Sequence, residues 1–132
     1  MVGLGSQRLL LLLSLLVAPA VDALDYSVRF DVAHESGSAG SFTVTVREAK
    51  APLAARRFLE MVNSGFFEGN YFFRVVPGFV VQFGLSGNLT RQQVWDRRGP
   101  LRDESSLAEP DWNMRGTIAF ANAGPNTRGT QV

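Results

Sequence analysis

From Asn70 to Gly84 the chain reads Asn-Tyr-Phe-Phe-Arg-Val-Val-Pro-Gly-Phe-Val-Val-Gln-Phe-Gly, an aromatic and β-branched run with a single charge, Arg74, and an interior amide, Gln82. Residues of these types fit a pleated sheet surface, and Pro-Gly between two such runs signals a turn. The stretch is therefore predicted as two buried strands joined at Pro77-Gly78. Alternation from Phe72 puts Phe72, Arg74 and Val76 on one face, and after the turn Val80 and Gln82 share a face. An arginine and an amide could then meet over an apolar floor that includes Phe79. A cation in such surroundings needs a reason.

The whole chain has 132 residues, no cysteine and a formal charge of +1. That bounds it to one small domain without disulfides or thiolate-bound metal, and the lack of a basic block argues against nucleic acid as a partner. At the N-terminus Arg8 precedes an apolar run, Leu9 to Val17, interrupted only by Ser14, and small residues follow at Val21 and Ala23. This is the layout of a secretory signal peptide cleaved after Ala23. Counted on to Val21 the apolar stretch is 13 residues long, well short of the roughly 20 that a membrane-spanning helix needs. Residues 1–23 are thus expected to be a signal peptide and residues 24–132 a single domain. Entry into the secretory pathway follows, to the endoplasmic reticulum lumen or outside the cell, with no stable membrane insertion after cleavage.

Further along, Tyr26, Val28, Phe30 and Val32 alternate with polar residues, as do Phe42, Val44 and Val46, across a Glu35-Ser-Gly-Ser-Ala-Gly turn. The pattern predicts a hairpin with one buried face. His34, the single histidine, falls at that turn and reads as a solvated residue, not a base. Ala51-Pro52 opens a helix whose apolar positions Ala55, Phe58, Leu59 and Val62 keep helical spacing, and Ser64-Gly65 closes it. Ser86 to Pro110 is polar and reads mostly as loop, anchored by Trp95 and Trp112 near its two ends. It contains one N-glycosylation sequon, Asn88-Leu89-Thr90. Thr117 to Phe120 is predicted as a strand that breaks into a Gly-Pro-Asn loop.

The central run resembles the signature of the cyclophilin-type peptidyl-prolyl cis-trans isomerases, Phe-His-Arg-Val-Ile-Pro-Gly-Phe-Met-Ile-Gln-Gly-Gly-Asp. Arg74, Pro77, Gly78, Phe79, Gln82 and Gly84 match it, whereas Phe73, Phe83 and Leu85 stand at its His, first Gly and Asp. Downstream, Gly116 to Gln131 is similar to the family's Gly-Ile-Leu-Ser-Met-Ala-Asn-Ala-Gly-Pro-Asn-Thr-Asn-Gly-Ser-Gln, with Arg128 replacing an Asn. A helix that opens with Ala-Pro and carries a buried Phe also belongs to the pattern, matched by Pro52 and Phe58, although Arg57 replaces the Asn before that Phe. The two motifs occur in order and at about the family's separation, a far more specific signal than either alone.

The resemblance implies a mainly β fold, a cyclophilin-like antiparallel β-barrel with a capping helix. The barrel is expected to be incomplete, because members normally continue beyond the position of Val132 with further strands and a second helix. It implies a prolyl isomerase that uses neither metal nor cofactor. Arg74 and Gln82 would be catalytic, and Phe79, Val80, Ala121, Asn122 and Gln131 would bind substrate. The implied partners are proline-containing peptides or unfolded proteins, with cyclosporin-type ligands as further candidates.

The residues suit that chemistry. Rotation about an X–Pro bond crosses a barrier of about 18–20 kcal/mol because the planar amide loses resonance. At the twisted transition state the proline nitrogen gains a lone pair, and a donor aimed at it binds that state better than either ground state. Arg74 would be this donor, Gln82 would orient it or bind the substrate backbone, and Phe79 would pack on the proline ring. Away from the motif, Arg74 reads as an ion-pair partner of Asp103 or Glu104. Three functional expectations follow: an isomerase impaired by a missing pocket wall, a non-catalytic proline-peptide binding module, or a gene-model or splice fragment without function of its own.

Overall fold

The alternating stretch after Leu24 pairs with the one after Gly37. In the computed structural model, which describes residues 24–37, 39–104 and 113–132, β1 (Asp25–Ala33) and β2 (Ala39–Arg47) are antiparallel, in register from Asp25 opposite Arg47 to Ala33 opposite Ala39. Val28, Phe30, Val32 and Val44 are half-buried and Val46 is buried, while Arg29, Asp31, Thr43 and Thr45 face solvent. This is the expected hairpin with one covered face. Phe30 and Phe42, directly opposite, stack with ring centroids 5.0 Å apart. His34 lies in the turn, exposed, with Nδ1 2.8 Å from the Ser36 hydroxyl and its carbonyl accepting from Gly37 N–H. The expected signal peptide and Trp112 lie outside the described residues.

Helix α1 spans Pro52–Asn63, with Pro52 in the first turn and Gly65 at φ +68° just past Ser64. Its start needs help, because Ala51 at the N-cap has no side chain to accept from the free amides. The Glu104 carboxylate does so instead, accepting from Leu53 N–H at 2.7 Å and Ala54 N–H at 2.9 Å. A negative charge there also suits the helix dipole. The buried face consists of Ala55, Phe58 and Met61, and it meets the rings of Phe30 and Phe67 through Phe58. Phe66, fully buried, and Phe83, Trp95, Phe120 and Val132 extend this core.

The central run forms β3 (Arg74–Val76) and β4 (Val80–Gln82), antiparallel around Pro77-Gly78, with Gly78 at φ +74°. The turn and pairing match the sequence expectation. Burial does not: Val75 is 61 % exposed, Val81 52 % and Phe79 75 %. The two hairpins form separate two-stranded sheets. Among the described residues no closed barrel forms and nothing covers the outward face of β3–β4.

Two further expectations are corrected. Residues 89–96, read as loop, form helix α2 (Leu89–Asp96), because Asn88 caps it by accepting from Arg91 N–H at 3.0 Å and Trp95 anchors it in the core. Thr117 to Phe120 is not a ladder strand, since no strand among the described residues lies beside it; only Phe120 of these four is buried. Arg57, at the position of the family's Asn, ties α1 to the end of α2. Its Nη1 donates to Gly99 O at 3.3 Å and its guanidinium lies 5.8 Å from the Trp95 ring centroid. Burial foremost, then the neighbouring Arg98, lowers its pKa from the ordinary guanidinium value, while Glu60 acts the other way.

The segment after α2 is stitched to the Gly-Pro-Asn loop. Leu101 N–H donates to Arg128 O at 2.7 Å, Asp103 and Asn126 exchange bonds of 2.7 and 2.9 Å, and Arg128 also donates to the Arg102 carbonyl. Arg128 pairs with Asp103 at 3.3 Å and Glu104 at 3.7 Å. Glu104 thus joins this network to the start of α1. Replacing it, Glu104→Ala, removes the acceptor of two helix amides and a partner of a largely buried arginine. The expected loss is about 1–3 kcal/mol of stability by urea unfolding; an unchanged midpoint would show that the carboxylate does not hold α1.

Candidate functional site

Gly84 is where two distant segments touch. At φ +98°, it lies so close to the segment ending at Val132 that a Cβ there would sit 2.3 Å from Thr130 O. Only glycine meets both demands. Immediately before it, Phe83 and Val132 exchange two backbone hydrogen bonds, both 2.9 Å. Thr130 is held from the other side as well, its hydroxyl accepting from Gln92 Nε2 of α2 at 3.3 Å. Gln92 Oε1 meanwhile accepts from Ser86 N–H at 2.9 Å. Helix α2, which the sequence did not reveal, is therefore part of what fixes this segment.

With that pairing in place, Gln82 and Gln131 lie side by side. Gln82 Nε2 donates to Gln131 Oε1 at 2.9 Å, and Gln82 Oε1 accepts from Arg74 Nη1 at 3.3 Å. Arg74 and Gln82 are direct cross-strand partners, so the hairpin register itself sets them opposite each other. Gln82 is buried at 8 % exposure, and its amide, bonded at both ends, has one orientation that satisfies both neighbours. The Arg74 guanidinium carbon lies 5.7 Å from the centroid of the Phe79 ring. The result is an arginine anchored through one of its N–H groups beside an aromatic face that is open to solvent.

No carboxylate among the described residues pairs with Arg74. Asp103 and Glu104, the partners considered from sequence, are engaged with Arg128 and α1. The other guanidinium N–H groups of Arg74 make no hydrogen bond among the described residues. No three His, Cys, Asp or Glu side chains among these residues come together as a metal would require.

The remaining candidates lie around this chain of contacts. Ala121 N–H donates to Gln131 O at 2.9 Å, which lays the Ala121–Asn122 segment alongside Gln131. Asn122 is exposed, and its side chain makes no hydrogen bond among the described residues. Val80 is half-buried and pairs with Val76. Hence Arg74, Gln82, Gln131 and Phe79 are joined by direct contacts, Ala121 by its backbone, and Asn122 and Val80 by chain neighbourhood only. Phe83, at a family glycine, turns to the opposite side and packs into the core against Phe30, Phe67 and Phe72 at 5.6, 5.5 and 5.5 Å. Gln92, which holds Thr130 beside Gly84, carries no local signal beyond its polarity, whereas Thr130 itself lies within the downstream motif.

Comparison with known proteins agrees with the motifs. The family model for cyclophilin type peptidyl-prolyl cis-trans isomerases matches residues 29–131. The chain is 37 % identical over 84 residues to peptidyl-prolyl cis-trans isomerase A of Dickeya dadantii, covering 64 % of this chain and 42 % of that protein. It is 35 % identical over 96 residues to the spliceosome-associated protein CWC27 homolog of Danio rerio, covering 71 % of this chain and 20 % of that one. The chain therefore spans less than half the length of either relative. No solved structure matches it with significance.

Because Gly84 controls the approach of Thr130 and Gln131, Gly84→Ala should cost more than an ordinary glycine replacement. Strain at positive φ adds roughly 1–3 kcal/mol to the clash with Thr130 O. Urea unfolding should show the loss, and NMR shifts of the Gln82 and Gln131 side-chain amides should change together. A folded variant with both amides unmoved would mean that this contact does not position Gln131.

Proposed function

The chain belongs to the cyclophilin-type peptidyl-prolyl cis-trans isomerase family, and from that premise we propose that it binds extended polypeptides around an X–Pro bond and speeds rotation about that bond. The observation that carries this reading is Arg74: paired with no carboxylate among the described residues, held through Nη1 by a buried Gln82, and set beside the exposed ring of Phe79. Phe79 supplies the apolar surface on which a proline ring packs. The backbone around Ala121 and Asn122 holds the peptide, and Val80 and Gln131 line its path.

As the bond twists, the proline nitrogen pyramidalises and a guanidinium N–H donates to the lone pair that forms. No bond to the protein is made and no proton needs to be transferred. The donor acts only where charge develops, so it favours the transition state over both planar isomers. Gln82 positions the guanidinium, and Gln131 in turn fixes Gln82. The substrates in this reading are proline-containing peptides and unfolded chains, with cyclosporin-type ligands as candidate competitors for the groove. The N-terminal pattern of Arg8, the Leu9 to Val17 run and the small residues Val21 and Ala23 supports action in the secretory pathway after cleavage of residues 1–23.

A second reading has its own observation. Phe79 at 75 % exposure and Val81 at 52 % lie on a hairpin that no described element covers, so the substrate would be held from one side, as in a non-catalytic module that binds proline peptides. The two differ in what Arg74 does. In an isomerase, Arg74→Ala lowers the rate of prolyl exchange about 10²-fold, the scale of removing one transition-state donor. Arg74→Lys gives a similar loss because an ammonium lacks the planar fork. Exchange spectroscopy on a proline peptide reads both. Peptide binding with no acceleration of exchange, unaltered by Arg74→Ala, would overturn the catalytic reading in favour of the binding module.

A further inference from the structure

Asn88-Leu89-Thr90 is the chain's single N-glycosylation sequon, and the isomerase reading makes no use of it. All three residues are exposed, Leu89 at 75 %. Asn88 is the N-cap of α2, in an extended conformation at φ −87° and ψ 106°, and Arg91 N–H donates to its Oδ1 at 3.0 Å. Neither its Nδ2 nor the Thr90 hydroxyl makes a hydrogen bond among the described residues. The cap therefore occupies the carbonyl end of the amide and leaves the nitrogen end facing solvent.

We propose that Asn88 carries an N-linked glycan, an inference that rests on the proposed entry into the secretory pathway. The donor is a polyprenyl-pyrophosphate-linked oligosaccharide. Nδ2 forms a bond to the anomeric carbon as the bond from that carbon to the pyrophosphate oxygen breaks. The pyrophosphate leaves with the electron pair, and one Nδ2 proton passes to a base of the transferase. The Asn88 carbonyl takes no part, so the modified side chain keeps the acceptor that caps α2. Many surface asparagines serve as helix caps, but here the sequon threonine, the exposure of all three residues and the unengaged Nδ2 coincide.

The test is expression of the full chain in a eukaryotic secretory host. The expected product carries one glycan, seen as a mobility shift that peptide N-glycosidase removes, with Asn88 then recovered as aspartate by mass spectrometry. Thr90→Ala should abolish the shift while leaving the unfolding midpoint close to that of the deglycosylated protein. Asn88→Gln should abolish the shift and also lower the midpoint by roughly 4–8 °C through loss of the cap. Chain recovered from the lumen or medium with Asn88 unmodified overturns the inference. If the chain's own leader fails to deliver it, a host leader placed ahead of Met1 separates the two questions. Modification in that case upholds the Asn88 site and overturns secretory entry, whereas an unmodified Asn88 overturns the site itself.

Discussion

The pair of backbone hydrogen bonds between Phe83 and Val132 governs the site. It joins segments almost fifty residues apart, and the absence of a side chain at Gly84 lets them approach so closely. The mutual exchange makes the pairing antiparallel, so Gly84 lies opposite Gln131, and Gln82, on the same face two residues earlier, reaches Gln131 along the diagonal. Strand alternation does the rest. Phe83 points into the ring cluster of Phe30, Phe67 and Phe72, while Gln82 points the other way, toward Arg74. The core and the candidate site are thus two faces of one strand, and burial of Phe83 helps to hold Gln82 in place.

Charge is distributed to the same end. Asp103, Glu104 and Arg128 form a tight group that joins the segment after α2 to the Gly-Pro-Asn loop, and Glu104 also caps α1. Among the described residues Arg74 has one hydrogen-bond partner, the neutral Gln82, and an aromatic neighbour, Phe79. An arginine held by an amide stays a strong donor, whereas one held by a carboxylate would have its N–H groups and its charge spoken for. In a chain whose net charge is only +1, this local separation of ion pairs matters more than the overall balance.

Much of the β3–β4 hairpin is uncovered among the described residues. Its apolar side chains Val75, Val81 and Phe79 face outward, and each strand is only three residues long. Three residues per strand give few ladder bonds, so the hairpin owes its position to neighbours in sequence: Phe72 on one side, packed against Phe83, and Gln82 on the other, bonded to Gln131. Exposed apolar surface beside an unpaired strand edge is also where another polypeptide would most readily attach.

Where information is local, the sequence by itself determined the outcome. Period-two alternation gave β1 and β2, Ala51-Pro52 and Ser64-Gly65 bracketed α1, and Pro77-Gly78 placed the turn that sets Arg74 opposite Gln82. The two motifs also placed the chain in its family. What only tertiary structure decided is whatever depends on a partner far along the chain. Asn88 and Trp95 make a helix of 89–96, but its polar surface carries no apolar period, so its reality rests on the pocket that receives Trp95. Thr117 to Phe120 has strand-like residues and no neighbour to pair with among those described. The burial expected for β3 and β4 fails for the same reason, since alternation reports which face a side chain takes and not whether anything covers that face. That Asp103 and Glu104 bind Arg128 and α1 is equally non-local, because those groups are distant in sequence and meet only in the folded chain.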